Sequence, residues 1–355
     1  MTPRLTSEVD ARYRFVAGQT PAEPPWSRWP VPECPPVPRW PGGPWEENIS
    51  RRSIDLTLTG RLSGVDVPIN CAAGRAPWDG STYGMPITLF DSKGPKTTVW
   101  DMSKPVTWVW FTPSFPTMRI PLPEQVRREG DPTGRGSDAH AYLHDPANRV
   151  LTEMILVDKV PSVADTDALS GAAAWVWRLR TFGHADWTVG YSGGGPGAVT
   201  WDLTKPWNPK TAPRGIVAAN IPQSVLFAGW EEIVAGVIHH CLFLVLPDYN
   251  PGVTGWARAS DGKAAGHPLK GGAMVRLTAA AHRRISALGR AESVIATALR
   301  DYGAVLGDKK GVGSNGIGSG NIPLTQDRRW SQGDGEIAAL GDMRLRLTDF
   351  EVVSQ

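Results

Sequence analysis

The sequence predicts a mainly β protein, with a jelly-roll-like β-sandwich body, few helices and an extended N-terminal arm. Three observations predict it. The chain of 355 residues carries 39 Gly, 32 Pro and 16 Trp, a composition of short strands, tight turns and aromatic surfaces. Period-two alternation recurs at sandwich-like spacing from Ser53 onward. Helical periodicity is confined to one long stretch, Arg290 to Tyr302, where Val294, Ile295, Ala298, Leu299 and Tyr302 repeat and Gly303 supplies a stop.

In chain order, Ser7 to Tyr13 reads as a short helix with a capping-box-like start, within an attachment segment 1–20. Segment 21–48 is the arm. Pro21 to Trp45 holds ten prolines and four tryptophans, too many missing N–H donors for a helix or a central strand. Extended, it would reach roughly 75 Å. Trp26, Trp29, Trp40 and Trp45 are its expected anchors on another surface, because an indole buries much area for few rotatable bonds.

A β-rich subdomain is expected over 49–115, starting with a hairpin or meander through Ile54, Leu56, Leu58, Leu62, Val65, Val67 and Ile69, and the sandwich body over 116–355. Strands are expected at Met85 to Phe90, Thr97 to Asp101, Thr107 to Phe111, Met118 to Pro121, Ala174 to Thr181, Trp187 to Tyr191, Val199 to Leu203, Val237 to Leu246 and Met343 to Val353. The Trp108/Trp110 and Trp175/Trp177 pairs each point to one face, a ledge about 7 Å long that suits either core packing or a sugar ring.

The stretch with the most chemistry is Gly136 to Asp158. Asp138, His140, Tyr142 and His144 alternate with Ala139, Ala141 and Leu143, and Asp145-Pro146-Ala147-Asn148 supplies turn chemistry before a second strand, Arg149 to Val157. A loop closed by His144 and Arg149 would place Glu153 across from His140. A histidine facing a carboxylate is either a structural lock or part of a site. His239 and His240, inside the apolar run Val237 to Leu246, fall on opposite faces of the expected strand, and His240 would join the site if it lay beside Asp138, His140 and Glu153.

Other chemistries have less to stand on. Gly190-Tyr191-Ser192-Gly193-Gly194 fits a nucleophile elbow, but Gly195-Pro196-Gly197 follows where a helix is required. No Lys is placed for a phosphate loop, and Cys34, Cys71 and Cys241 show no metal-ligand spacing, so neither cofactor nor metal is expected. Net charge is +2 and the arginines are dispersed, which excludes a nucleic-acid footprint. The N-terminus lacks a signal peptide and no apolar run spans a bilayer, so synthesis in a cytoplasm without membrane insertion is expected.

Two resemblances add to this reading. Leu5 to Tyr13, LTSEVDARY, resembles an L-T-x-x-x-x-A-R-Y segment near the attachment ends of bacteriophage tail fibres. Met118 to Pro123, GSDAHAYLHDPANRVLTEM, GAVTWDL, Asn220 to Pro247 and Ala291 to Asp308 together resemble, in order, a family of uncharacterised bacterial extracellular proteins, and related segments resemble minor tail proteins of actinobacterial phages. The likeness covers about two-thirds of the chain. Matching polar positions are Asp138, His140, Glu153, Asp202, Glu232 and His240; Ala139 stands where the family has Arg, Gln223 to Phe227 lacks its Pro-Gly pair, and Leu306 to Lys310 departs from its L-A-D-N-G.

The resemblance implies a tail or tail-tip component of a virion, partnered by other tail proteins and by copies of itself, with a trimer favoured. Asp138, His140, Tyr142, Glu153, Asp202 and His240 are then the candidates for contact with a host cell-wall polysaccharide, and Tyr13 joins the arm tryptophans in assembly. The rival expectation is a polysaccharide-degrading enzyme with His140 and Glu153 as acid and base and His240 assisting. A third is a buried hydrogen-bonded network holding the sandwich together.

Overall fold

The computed structural model describes residues 34–70, 84–101, 117–123, 126–129, 138–159, 187–190, 197–310, 319–327, 329–332, 340 and 343–354. The expectations for Tyr13, Trp26, Trp29, the 1–20 helix, both tryptophan ledges and Ser192 lie outside these residues.

The chain enters through residues 34–49, without regular structure as far as Trp40 and then through a turn and a 3-10 helix at Pro44–Glu46. The hairpin expected after Ser53 is not formed. Asp55 turns the chain into helix α1 (Leu56–Thr59) by accepting the Leu58 N–H on Oδ1 at 2.9 Å. Ile54 and Asp66 make only single bridges, to Val353 and Arg346. The strands follow as β1 (Ile69–Asn70), β2 (Ile87–Leu89), β3 (Lys96–Asp101), β4 (Thr117–Pro121), β5 (Ala141–Asp145), β6 (Val150–Met154), β7 (Asp158–Lys159), β8 (Trp187–Val189) and β9 (Ala198–Asp202). Helix α2 (Trp230–Ala235), β10 (Leu242–Leu246), β11 (Asn250–Val253), β12 (Lys270–Gly271), β13 (Met274–Leu277), α3 (Ala279–Ser286), α4 (Arg290–Asp301), β14 (Ala304–Lys309), β15 (Ile322–Pro323), α5 (Arg329–Gln332) and β16 (Phe350–Val352) follow, with 3-10 turns at Pro44–Glu46, Ser224–Leu226 and Leu347–Asp349.

Three four-stranded sheets result, ordered β4-β3-β8-β7, β2-β5-β6-β9 and β10-β14-β13-β16. Each contains one parallel pair, β3 with β8, β2 with β5 and β10 with β14. The mainly β class therefore holds, while the all-antiparallel strand order of a jelly roll is not traced by the described strands. Strands from both sides of the boundary expected near residue 115 share sheets, since β2 pairs with β5 and β3 with both β4 and β8.

The β2-β5-β6-β9 sheet is covered on both faces. Ala141, Leu143 and Met154 pack with Val99, Ile120 and Val189 of the β4-β3-β8-β7 sheet. On the opposite face Tyr142, Leu151, Val199 and Trp201 share a core with Phe243, Met274 and Val305 of the third sheet, with residues from 203–227 and with Val37, Trp40 and Trp45. Alternation then sends Leu242, Leu244 and Leu246 to the far side of that third sheet, against Ala291, Val294, Ile295, Ala298 and Leu299 of α4. Among the described residues no helix is long and apolar enough to cross a membrane.

Two features of the third sheet depend on glycine. Gly303, at φ +74°, ends α4 in the left-handed region and turns directly into β14, where a Cβ would meet the Val275 carbonyl at 2.5 Å. At Gly307 a Cβ would sit 2.0 Å from the Phe243 ring, so the ring occupies the space a side chain would need.

Candidate functional site: a buried polar network under an aromatic strap

The hairpin centred on Asp145–Asn148 forms, because Asp145 holds the turn together. Its Oδ1 accepts from Asn148 N, and its Oδ2 from Asn148 Nδ2, Ser92 N and Ser92 Oγ. These bonds hold the carboxyl far below its usual range despite an opposing effect of burial. The register differs from the expected one by two residues. Asp145 faces Val150, so Glu153 lies opposite Tyr142, not His140. A two-residue shift preserves side-chain parity, and Tyr142 and Glu153 still share a face.

That face is buried. Ala139 adopts φ +47°, which ends the regular strand and leaves Asp138 exposed while His140 turns inward. His140 Nδ1 meets Glu129 Oε2 at 2.8 Å, with both side chains almost fully enclosed. Burial would lower the His140 pKa, but the bonded Glu129 carboxylate, with Asp138 and Asp308 nearby, outweighs it and carries the ring up to about 9. Burial raises Glu129 as well, against the pull of His140.

Glu153 is anchored elsewhere. Its Oε1 accepts from Gln223 N at 2.9 Å, Ser224 N at 2.8 Å and Ser224 Oγ at 2.7 Å. Burial still raises its pKa, opposed by these donors and by the Trp201 indole. Tyr142 donates its hydroxyl to Gln223 Oε1 at 2.5 Å, and burial together with the Glu153 charge raises it well above the usual phenol value. Asp308, on β14, is pushed up to about 8 by burial, with Asp261 and Asp138 adding to the effect.

His240 does not join this group. Residues 237–241 are not strand: α2 ends at Gly236 in the left-handed region (φ +83°), and only from Leu242 does β10 begin. His240 is 1 % exposed; its Nε2 meets Glu232 Oε1 at 3.0 Å and its Nδ1 the Cys241 carbonyl at 2.9 Å. Exposed His239 meets the Tyr302 hydroxyl at 3.2 Å. Asp202 caps its own turn through Thr204 N and Oγ1 and pairs with Lys205, which holds its carboxyl down at about 2.

The six nominated residues thus assemble only in part: the His140 ring is stacked 6.0 Å from that of Tyr142, and the others divide. Tyr142 and Glu153 meet at the Gln223–Ser224 turn, His140 pairs with Glu129, His240 pairs with Glu232, and Asp138 and Asp202 face solvent to differing degrees. Sequence reasoning carried Glu232 only through the resemblance and missed Glu129, Gln223, Ser224 and Asp308. A signal for Glu232 exists in Gly229-Trp230-Glu231-Glu232, where the acid three residues after a helix start accepts the Gly229 N–H at 3.2 Å.

The described part of the arm lies on the chain's own body. Trp40 and Trp45 are 3 % and 2 % exposed. Trp40 packs 5.3 Å from Trp45 and 5.7 Å from Trp201, Trp45 packs 5.5 Å from Trp207, and the Trp40 indole donates to the Lys205 carbonyl at 2.7 Å. Asp327 accepts the Cys34 N–H, Arg39 reaches Glu46 and Glu232, Cys241 N bonds the Trp45 carbonyl, and Ile49 N bonds that of Asp301. These two anchors are therefore spent inside the protein, so the surface they were expected to seek is their own.

Among the described residues no group of three or more His, Cys, Asp or Glu side chains is arranged to hold a metal ion. No protein-family model matches the chain, and neither the curated proteins nor the solved structures contain a significant match.

Proposed function

We propose that the chain is a structural component of a bacteriophage virion, a minor tail or tail-tip protein, and that its polar network serves the integrity of the body. One observation carries the structural half: His140, Glu153 and His240, the three residues that acid–base chemistry would need together, are each enclosed with a different partner. Groups so placed fix neighbouring segments and meet no polymer from solution. The virion half rests on the resemblance of Leu5 to Tyr13 to tail-fibre segments and of several blocks from Met118 onward to minor tail proteins.

Host attachment through a saccharide belongs to this proposal, but not through the Tyr142–Glu153 face, which is covered. Quantitative peptide mass spectrometry of purified particles tests the reading. The chain present at a small fixed copy number, a multiple of three if it trimerises, is the expected result; its absence from intact particles overturns the reading.

A further inference from the structure

We infer that the corner of the body formed by the end of α2 and the α3–α4 turn is a docking surface for an anionic lipid bilayer, which it meets from one side without crossing it.

The corner departs from the pattern of a solvated helix end. Ile233 and Ile238 are buried, and the four residues between them, Val234, Ala235, Gly236 and Val237, are all exposed with no polar side chain among them. Ala287 and Leu288, between α3 and α4, are exposed as well. Arg290 joins the two loops: its Nη2 donates to the Val234 carbonyl at 2.9 Å and lies 3.5 Å from where a Cβ on Gly236 would sit. Val234, Val237 and Leu288 are three of the six exposed large apolar side chains among the described residues. Scattered singly they would need no account, but gathered on one corner they mark a contact surface.

The backbone of the corner suits an apolar medium. A helix end ordinarily leaves carbonyls for water to satisfy. Here the Glu232 carbonyl accepts from Gly236 N and Val237 N, that of Ile233 from Gly236 N, and that of Val234 from Arg290, with Gly236 at φ +83° turning the chain back to close the first two. These carbonyls can therefore leave water without losing a partner.

Charge selects the occupant. Arg283, Arg284 and Arg290 are exposed on the same corner. Asp349 neutralises Arg284 at 2.8 Å, but among the described residues Arg283 and Arg290 have no carboxylate partner. The exposed acid of α2, Glu231, is paired with Arg329, and Glu292 of α4 is buried. Two unpaired guanidinium groups beside an apolar tip match a layer of anionic headgroups over acyl chains, with the arginines at the phosphates and the valines and leucine at the acyl boundary. A second copy of the chain matches less well, because its solvent-facing Glu47, Asp202 and Glu231 are already paired with Arg52, Lys205 and Arg329.

Co-sedimentation of the full-length chain with vesicles tests this, using phosphatidylcholine alone and an equimolar mixture with phosphatidylglycerol. The chain should pellet with the mixed vesicles, stay in the supernatant with the neutral ones, and be released from the mixed ones by high salt. Val237→Asp combined with Leu288→Asp should abolish pelleting while circular dichroism stays that of the wild type. Arg283→Gln should weaken partitioning about fivefold, the weight of one basic side chain at an anionic surface, and serves if the double variant folds poorly. Wild type that ignores the mixed vesicles, equal binding to both compositions, or wild-type binding by either variant would each overturn the proposal. So would a wild-type oligomer in sedimentation equilibrium that the two aspartates dissociate, since the corner would then be an interface between copies. The presence of the chain in particles is a separate measurement, and either result can fail alone.

Discussion

Tyr142 and Glu153 lie directly opposite each other in the β5–β6 ladder, and both reach the same turn: the phenol donates to Gln223 Oε1, while the carboxylate accepts Gln223 N, Ser224 N and Ser224 Oγ. The turn at 223–226 has no ladder partner of its own for these N–H groups, so a side chain from the sheet satisfies them.

Glu153→Ala should consequently cost about 2–4 kcal/mol, since it strands two buried backbone donors and a hydroxyl. Glu153→Gln, which keeps an acceptor oxygen, should cost less. Urea denaturation of the two variants measures the difference, and equal losses would mean that the carboxyl is not what holds the turn.

Stability should rise as pH falls from about 9 towards 6. The folded pKa of Asp308 is raised from 3.8 to about 8, so its contribution is fully present below the unfolded value and is lost as pH climbs through 8. His140, raised from 6.5 to about 9, contributes stability present below 6.5 and lost as pH climbs through 9. Both slopes have the same sign. Asp308→Asn should flatten the profile between pH 6 and 8 in a series of urea midpoints; an unchanged slope would contradict the assignment.

Trp45→Ala should destabilise by about 3–5 kcal/mol, as expected for a large buried aromatic, and should shift tryptophan emission to the red as Trp40, Trp207 and Trp256 lose a neighbour. Trp40→Ala removes the bond to Lys205 as well. If either change leaves the urea midpoint where it was, residues 34–49 are a passenger on the surface and not part of the core.

At Gly307 the obstacle is one ring. Gly307→Ala should cost about 1–3 kcal/mol by overpacking, and Phe243→Leu in the same chain should recover part of it, because the Cβ would meet the Phe243 ring edge. A double-mutant cycle with no coupling would show that the strand shifts instead.

How much of this was legible varies with how local the cause is. The hairpin could be read because Asp145, Pro146 and Asn148 encode the turn within four residues, and α4 because its apolar spacing and Gly303 agree. The observed register is two residues from the expected one because the ladder closes on Asp145 and Val150, leaving Arg149 inside the loop at φ +53°. Alternation at Ile54, Leu56 and Leu58 suggested a strand, yet one capping bond from Asp55 was enough to make a helical turn. His240 was read into a strand because Val237 to Leu246 is apolar throughout, and nothing in that run announces that Gly236 sits at positive φ. Glu129 left no sequence signal, since an acid in an irregular segment becomes a partner only once the sheet brings His140 to it.

The enclosure of residues 34–49 has a consequence for how the chain is made. Cys34 is bonded to Asp327, Ile49 to Asp301 and Ile54 to Val353, so an aromatic stretch docks onto segments that are synthesised about 250–300 residues after it. At roughly 5–20 residues per second, the two indoles wait on the order of 8–30 s for the first of their ring neighbours, Trp201 and Trp207, and longer for the rest of their cover. A nascent chain stopped short of residue 301 would carry those indoles with part of their cover missing, so the yield of soluble protein should depend on completing translation more steeply than the loss of any single C-terminal contact implies.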